Sequence, residues 1–172
     1  MTDVLVAYAT KHGSTHEVAK AVAEELRSHG LAVDVRPAAE ARIVRPYAAV
    51  VVGGALYMGR WHRDARRFLS RFRRELAEKP VAVFGMGPLT TSEKDMAGAR
   101  RQLDHALGHT PEVEPVAVAI FGGVVHPDEL RFPFNHMPES DARDWDAIRV
   151  WADEVAEALA PGREQPALAE QV

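Results

Sequence analysis

Four unbroken apolar runs, at residues 4–9, 48–52, 81–84 and 116–121, restrict the folds open to this chain more than any other feature. A strand with one face in water alternates apolar and polar side chains, whereas a strand that is apolar throughout is buried on both faces, as in a parallel sheet held between helix layers. A weaker, alternating run carries Val33 and Val35. Between the runs, apolar residues recur at helical spacing, which predicts helices over 14–29, 62–77, 92–107 and 141–159. The segment 37–46 is too short and too interrupted by proline for another. Five strands with intervening helices make an α/β sandwich, with right-handed crossovers expected from general topology. Gly30 is placed to close the first helix, and Ser92 with Asp95 to cap the third. One domain is expected over 1–160, followed at 161–172 by a frayed tail with two prolines and a glycine.

Composition narrows the chemistry. A chain of 172 residues, 47% hydrophobic and 27% charged, is an ordinary globular domain with room for a sizeable core. Its formal net charge of -4 is mild and argues against nucleic acid as a partner. There is no cysteine, so thiol redox, iron–sulfur ligation and thiolate metal sites are excluded, and any redox role needs an organic cofactor. No run approaches the ~20 apolar residues that span a bilayer, and Asp3 stands where a secretory signal would be basic. The expected location is cytoplasmic, with peripheral membrane contact still open.

In open α/β sheets, ligands bind beyond the carboxyl ends of the strands. Three such segments share a composition of glycine with hydroxyl, aromatic or thioether groups. After the first strand come Thr10, Lys11, His12, Gly13, Ser14 and Thr15; after the third, Gly53, Gly54, Ala55, Leu56, Tyr57, Met58 and Gly59; after the fourth, Gly85, Met86, Gly87, Pro88, Leu89, Thr90 and Thr91. The first leads straight into a helix, whose opening N–H groups and dipole suit an anion, so a phosphorylated ligand is expected there. The plainer reading is a capping box, since Ser14 and Glu17 have S-x-x-E spacing. The two readings are compatible. For the second and third loops, Tyr57, Met58 and Leu89 suit the walls of a flat cofactor, with backbone from Gly54 to Gly59 at its polar edge. Alternatively, Tyr57 and Met58 only cover the sheet end.

The stretch from Tyr8 to Thr15 resembles the phosphate loop of the flavodoxin-like FMN-binding proteins, [ST]-x-[ST]-G-x-[ST], with His12 in place of the second hydroxyl. The stretch from Gly54 to Arg60, with Leu89 and Thr90, is similar to the menaquinone-dependent protoporphyrinogen dehydrogenase branch. The resemblance, over roughly residues 3–160, implies a three-layer sandwich with a five-stranded parallel sheet in the order 2-1-3-4-5. It implies FMN as cofactor, held by Thr10, Lys11, His12, Gly13, Ser14, Thr15, Ala55, Leu56, Tyr57, Met58, Gly59, Gly87, Pro88, Leu89 and Thr90. Electron-carrier flavodoxins commonly stack a third-loop tyrosine on the outer face of the ring and are strongly acidic. This chain has no aromatic residue from Pro88 to Thr91 and a mild charge, which favours an enzyme with a substrate pocket over a carrier. Expected partners are a small-molecule substrate or quinone, or a redox protein; the catalytic residues and the oligomeric state stay open.

Other features have two readings. Arg60, Arg63, Arg66, Arg67, Arg71, Arg73 and Arg74 surround an apolar stripe of Trp61, Ala65, Phe68, Leu69, Phe72 and Leu76. They form a solvated face, or Arg60 and Arg63 clamp an anionic substrate or partner. The long connection between Phe121 and Ser140 is either a lid over the cofactor or a wrap using Phe132 and Phe134. His126 and His136 have no carboxylate at ligand spacing, so no metal site is expected. A phosphoacceptor receiver domain would need acidic residues where Tyr8-Ala9-Thr10 and Val52-Gly53 stand, and a dinucleotide fold would need G-x-G-x-x-G after the first strand.

Overall fold

In the computed structural model, which describes residues 3–130, 132 and 134–159, each apolar run is a strand with side chains pointing alternately into two cores. Strand β1 (Val4–Ala9) sends Val4 and Val6 into one core and Leu5, Ala7 and Ala9 into the other. Helix α1 (Ser14–Ser28) follows, closed by Gly30 at φ 84, whose N–H donates to the Arg27 carbonyl at 2.9 Å. Strand β2 (Val33–Pro37) is the weak alternating one. Beyond it, 37–46 forms only a short 3-10 turn, Ala38–Glu40, as the interrupted sequence requires.

Strand β3 (Ala49–Tyr57) runs well past the apolar run and folds back into a two-residue strand, β4 (Arg60–Trp61). Helices α2 (Arg63–Arg71) and α3 (Arg73–Leu76) replace the single helix expected over 62–77, the break falling at Phe72 with φ -103 and ψ 16. Strand β5 (Val81–Met86) and helix α4 (Glu93–Leu107) come next, with the Ser92 hydroxyl accepting from the Asp95 N–H at 3.2 Å. The chain ends in β6 (Ala117–Phe121), a small antiparallel pair of β7 (Val124–Val125) and β8 (Ser140–Asp141), and α5 (Trp145–Leu159). Helix α5 starts later than its pattern suggests, because Ser140 and Asp141 are used in β8. The expected tail at 161–172 lies outside the described residues.

The five long strands are parallel in the order β2-β1-β3-β5-β6, the expected 2-1-3-4-5 with β4 attached to the side of β3. Helices α1 and α5 pack on one face, over Val51 and Phe84; α2 and α4 cover the other, over Val50 and Trp61. Order reverses between β1 and β3, so the ends of β1, β3 and β5 open onto one crevice.

Candidate functional site

Backbone geometry at the end of β1 builds the first wall. Thr10 Oγ1 accepts from the Gly13 N–H at 2.8 Å and closes a tight turn. Gly13, at φ 89, is the cap of α1, and no side chain caps the helix. The capping-box reading is therefore corrected: Ser14 is the first helical residue, and the Glu17 carboxylate instead pairs with Arg143 at 2.6 Å. The opening N–H groups of α1 have no intrahelical partners. Behind them the Thr15 side chain is fully buried, and its hydroxyl is without a hydrogen-bond partner.

The second wall is a hairpin where a loop was expected. Leu56 pairs with Trp61 and Tyr57 with Arg60, leaving Met58 and Gly59 as a two-residue turn with φ 51 and 77. Positive φ at both central residues is the type I′ turn that suits a tight hairpin. Glycine accommodates it freely, whereas for Met58 the left-handed conformation costs about 1–2 kcal/mol. Met58 is also 72% exposed, so the strained residue sits at the tip. Lys11 Nζ lies 3.8 Å from the centre of the Tyr57 ring, joining the first loop to this hairpin by a cation–π contact. Gly53 and Gly54 have a different task from the one expected. A Cβ on Gly53 would lie 2.0 Å from Phe84 Cζ, and one on Gly54 would lie 2.6 Å from Trp61 Nε1. Both glycines are buried in β3 to admit an aromatic ring, and Gly54 offers its carbonyl to Trp61 Nε1 at 3.1 Å.

The third segment leaves β5 at Gly87, whose N–H donates to the Phe121 carbonyl at 3.2 Å while the Pro88 carbonyl accepts from the Gly123 N–H at 2.9 Å. Leu89 is 43% exposed. The Thr90 hydroxyl turns away to the Asp95 carboxylate at the start of α4. Facing Leu89 is the β7–β8 pair, held by Arg143. This guanidinium bonds both oxygens of Asp141 (3.0 and 2.7 Å), reaches Glu17 on α1, and lies over the Trp145 ring.

These parts enclose a cleft of about 250 Å³. Of the residues expected at the cofactor, Lys11, His12 and Ser14 line it from the first loop, Ala55, Leu56, Tyr57 and Met58 from the second, and Gly87 and Leu89 from the third. Thr10, Gly13 and Thr15 lie behind that lining, Pro88 braces Gly123, and Gly59 faces another hollow. Met86, Gly123, Val124, Val125, His126, Leu130 and Met137, none of them among the residues expected to hold the cofactor, complete the wall. The signal for most of them was the length of the connection after Phe121. Of its expected wrapping residues, Phe132 is 78% exposed and meets the His136 ring edge to face at 5.8 Å, and the Phe134 side chain lies outside what is described. Arg60 and Arg63 do not line the cleft. His126 lies 3.8 Å from Glu139. Among the described residues, the side chains close enough to share an ion are Glu25, His29 and Asp153, at the far end of α1.

The family model for the flavodoxin domain matches residues 5–137. The chain belongs to the flavodoxin-domain family. Protoporphyrinogen IX dehydrogenase (quinone) of Escherichia coli K12 is 23% identical over 171 residues, spanning 88% of this chain and 93% of that protein. Among solved structures, a cysteine-to-serine mutant of Pseudomonas aeruginosa flavodoxin superposes with TM-score 0.60 at 22% identity, covering 92% of this chain and 99% of that one. Oxidised flavodoxin 1 from Bacillus cereus superposes with TM-score 0.62 at 15% identity, covering 92% and 100%.

This flavodoxin-domain protein is a flavin-binding redox protein, and FMN is its cofactor. The first loop passes a physical test for that group. Burying a hydroxyl without a partner is costly, and a loop with open helix N–H groups in front of such a hydroxyl suits a phosphate. Gly13 presents open space where a Cβ would stand, so its backbone can be approached closely. Next to the cleft, burial holds the His62 imidazole below its ordinary 6.5, helped by Arg63, Arg66 and Lys11 and opposed by Asp64. Its Nδ1 accepts from the Asp64 N–H at 3.0 Å and caps α2, and its backbone N–H donates to the carbonyl of cleft residue Ala55 at 2.8 Å. Among the described residues no helix is long and apolar enough to cross a membrane.

Proposed function

We propose that this protein is an FMN-dependent oxidoreductase that passes electrons between an organic substrate and a quinone or similar acceptor, as the name of its Escherichia coli relative describes for that enzyme. In this reading Thr10, Gly13, Ser14 and Thr15 hold the phosphate by N–H and hydroxyl groups, with Lys11 and His12 adding basic side chains beside it. Ala55, Leu56, Tyr57, Met58 and Gly59, with Gly87, Pro88, Leu89 and Thr90, border the ring. When bound, FMN supplies a ring system that accepts and releases electrons. The chain's part is to orient that ring, shield it with apolar walls and leave one side accessible.

One observation carries the reading. Tyr57 is the only benzenoid side chain lining the cleft among the described residues, and the third segment offers Leu89 where a stacking tyrosine would close the outer face. The opposite wall carries Val124, Val125, Leu130 and Met137, an apolar surface that suits a second flat molecule. A flavodoxin-type carrier serving a protein partner is the competing reading, favoured by the flavodoxins that share the fold. Steady-state assays on FMN-loaded protein, with a porphyrinogen or another organic donor and a soluble quinone, separate the two. Turnover by the protein alone supports the enzyme. Electron flow only when a reductase and a protein acceptor are both supplied would overturn it.

A further inference from the structure

On the other side of the β3–β4 hairpin lies a second hollow of about 180 Å³, separate from the cleft. Arg60 from β4 and Arg66 from α2 line it together with Gln102, His105 and His109 from the end of α4 and the buried Trp61 and Ala106. Among the described residues no carboxylate lines it. Asp104, the nearest acidic residue along α4, is engaged by Arg100 at 2.9 Å. Among the described residues the Arg60 side chain makes no hydrogen bond or ion pair. Arg66 Nε donates to the Trp61 carbonyl at 2.9 Å, which fixes the guanidinium, and among the described residues its terminal nitrogens have no hydrogen-bond or ion-pair partner. The His105 and His109 rings meet edge to face at 5.1 Å.

We propose that this hollow is a binding site for a small-molecule carboxylate carried on an apolar stem. Two cations lining one hollow that no described carboxylate lines repel each other, and an oxyanion between them removes that cost. Planar guanidinium groups match a carboxylate with paired N–H donors, and the Gln102 amide adds a further donor. Trp61 and Ala106 give a short hydrocarbon stem an apolar surface, which phosphate would not use. The site shares with the cleft only the hairpin, through Gly59 and Arg60, and its occupancy is independent of the FMN reading.

The test titrates butyrate into the full-length chain, with and without FMN, at constant ionic strength, following the ring resonances of His105 and His109 by NMR. Saturable shifts of both rings, absent with equivalent chloride, are expected in both forms. The Arg60→Gln/Arg66→Gln double variant should weaken binding at least about tenfold, the loss typical of hydrogen bonds to a charged group. A thermal melt of each variant verifies folding, and the Arg60→Gln single variant, which disturbs no internal side-chain bond, should weaken binding in the same direction. Shifts that rise linearly without saturation, that chloride reproduces, or that survive both variants would overturn the proposal. So would saturation by phosphate without saturation by butyrate.

Discussion

Replacing Thr15 with valine should move stability and cofactor affinity in opposite directions. The side chain is fully buried on the first turn of α1, and its hydroxyl has no partner. An unsatisfied buried polar group costs about 1–3 kcal/mol, and valine removes it while keeping both branches of the side chain. FMN-free Thr15→Val should thus be more stable by about 1–3 kcal/mol, with each kcal/mol worth about 2–4 °C in melting temperature at this size. If that hydroxyl serves the FMN phosphate, the same change deletes a hydrogen bond to a charged group, about 1.5–3 kcal/mol, and weakens FMN roughly 10- to 150-fold. The assays are urea melts of the FMN-free protein and flavin-fluorescence titrations of both forms. Thr15→Ser is the control, retaining the hydroxyl. A Thr15→Val protein that is no more stable than wild type and binds FMN with unchanged affinity would refute the assignment of this residue to a phosphate site.

Gly53→Ala should lower stability by about 3 kcal/mol in a urea melt, because its Cβ would sit 2.0 Å from a fully buried Phe84 ring wedged against Phe121 and Trp151; a loss under about 0.5 kcal/mol would show that the ring can yield. His62 is neutral in the fold and caps α2 through Nδ1, so its contribution to stability is present above pH 6.5 and lost as pH falls toward its lowered folded value. His62→Asn, which caps without titrating, should flatten the urea-midpoint profile between about pH 7.5 and 5, and an unchanged slope would remove His62 from that window. Tyr57→Ala, which deprives Lys11 of its ring contact, should shift the absorbance of bound flavin, and an unaltered spectrum would return Tyr57 to a covering role.

The sheet was legible because its signal is local and repeated. Val4, Val6, Leu5 and Ala7 are all buried whichever core they face, so an unbroken apolar run carries the same message at every position. The helix starts were less so. Ser14 and Glu17 satisfy the spacing of a capping box, yet Gly13 takes the cap and Glu17 bonds Arg143, a residue 126 positions away. Spacing alone cannot distinguish an acid that reaches its own helix from one used to fasten another segment.

Glycine produced the main misreading at the site, and the reason bears on how the cleft is shaped. Gly53 and Gly54 look like loop residues because glycine is common in turns. In β3 they are strand residues whose missing Cβ atoms make room for Phe84 and Trp61. That packing carries β3 past the apolar run at 48–52 as far as Tyr57, so the turn falls at Met58, a residue with no turn preference. The aromatic residues beneath the sheet end therefore determine how far the hairpin projects into the cleft. Gly87 and Gly123 act in the same way on the facing side, where a Cβ on Gly87 would strike the Leu56 backbone and one on Gly123 would press on Gly87. The cleft's width is thus set by four glycines that touch aromatic rings or backbone, and substitutions there should alter the position of the walls before they alter any group that binds.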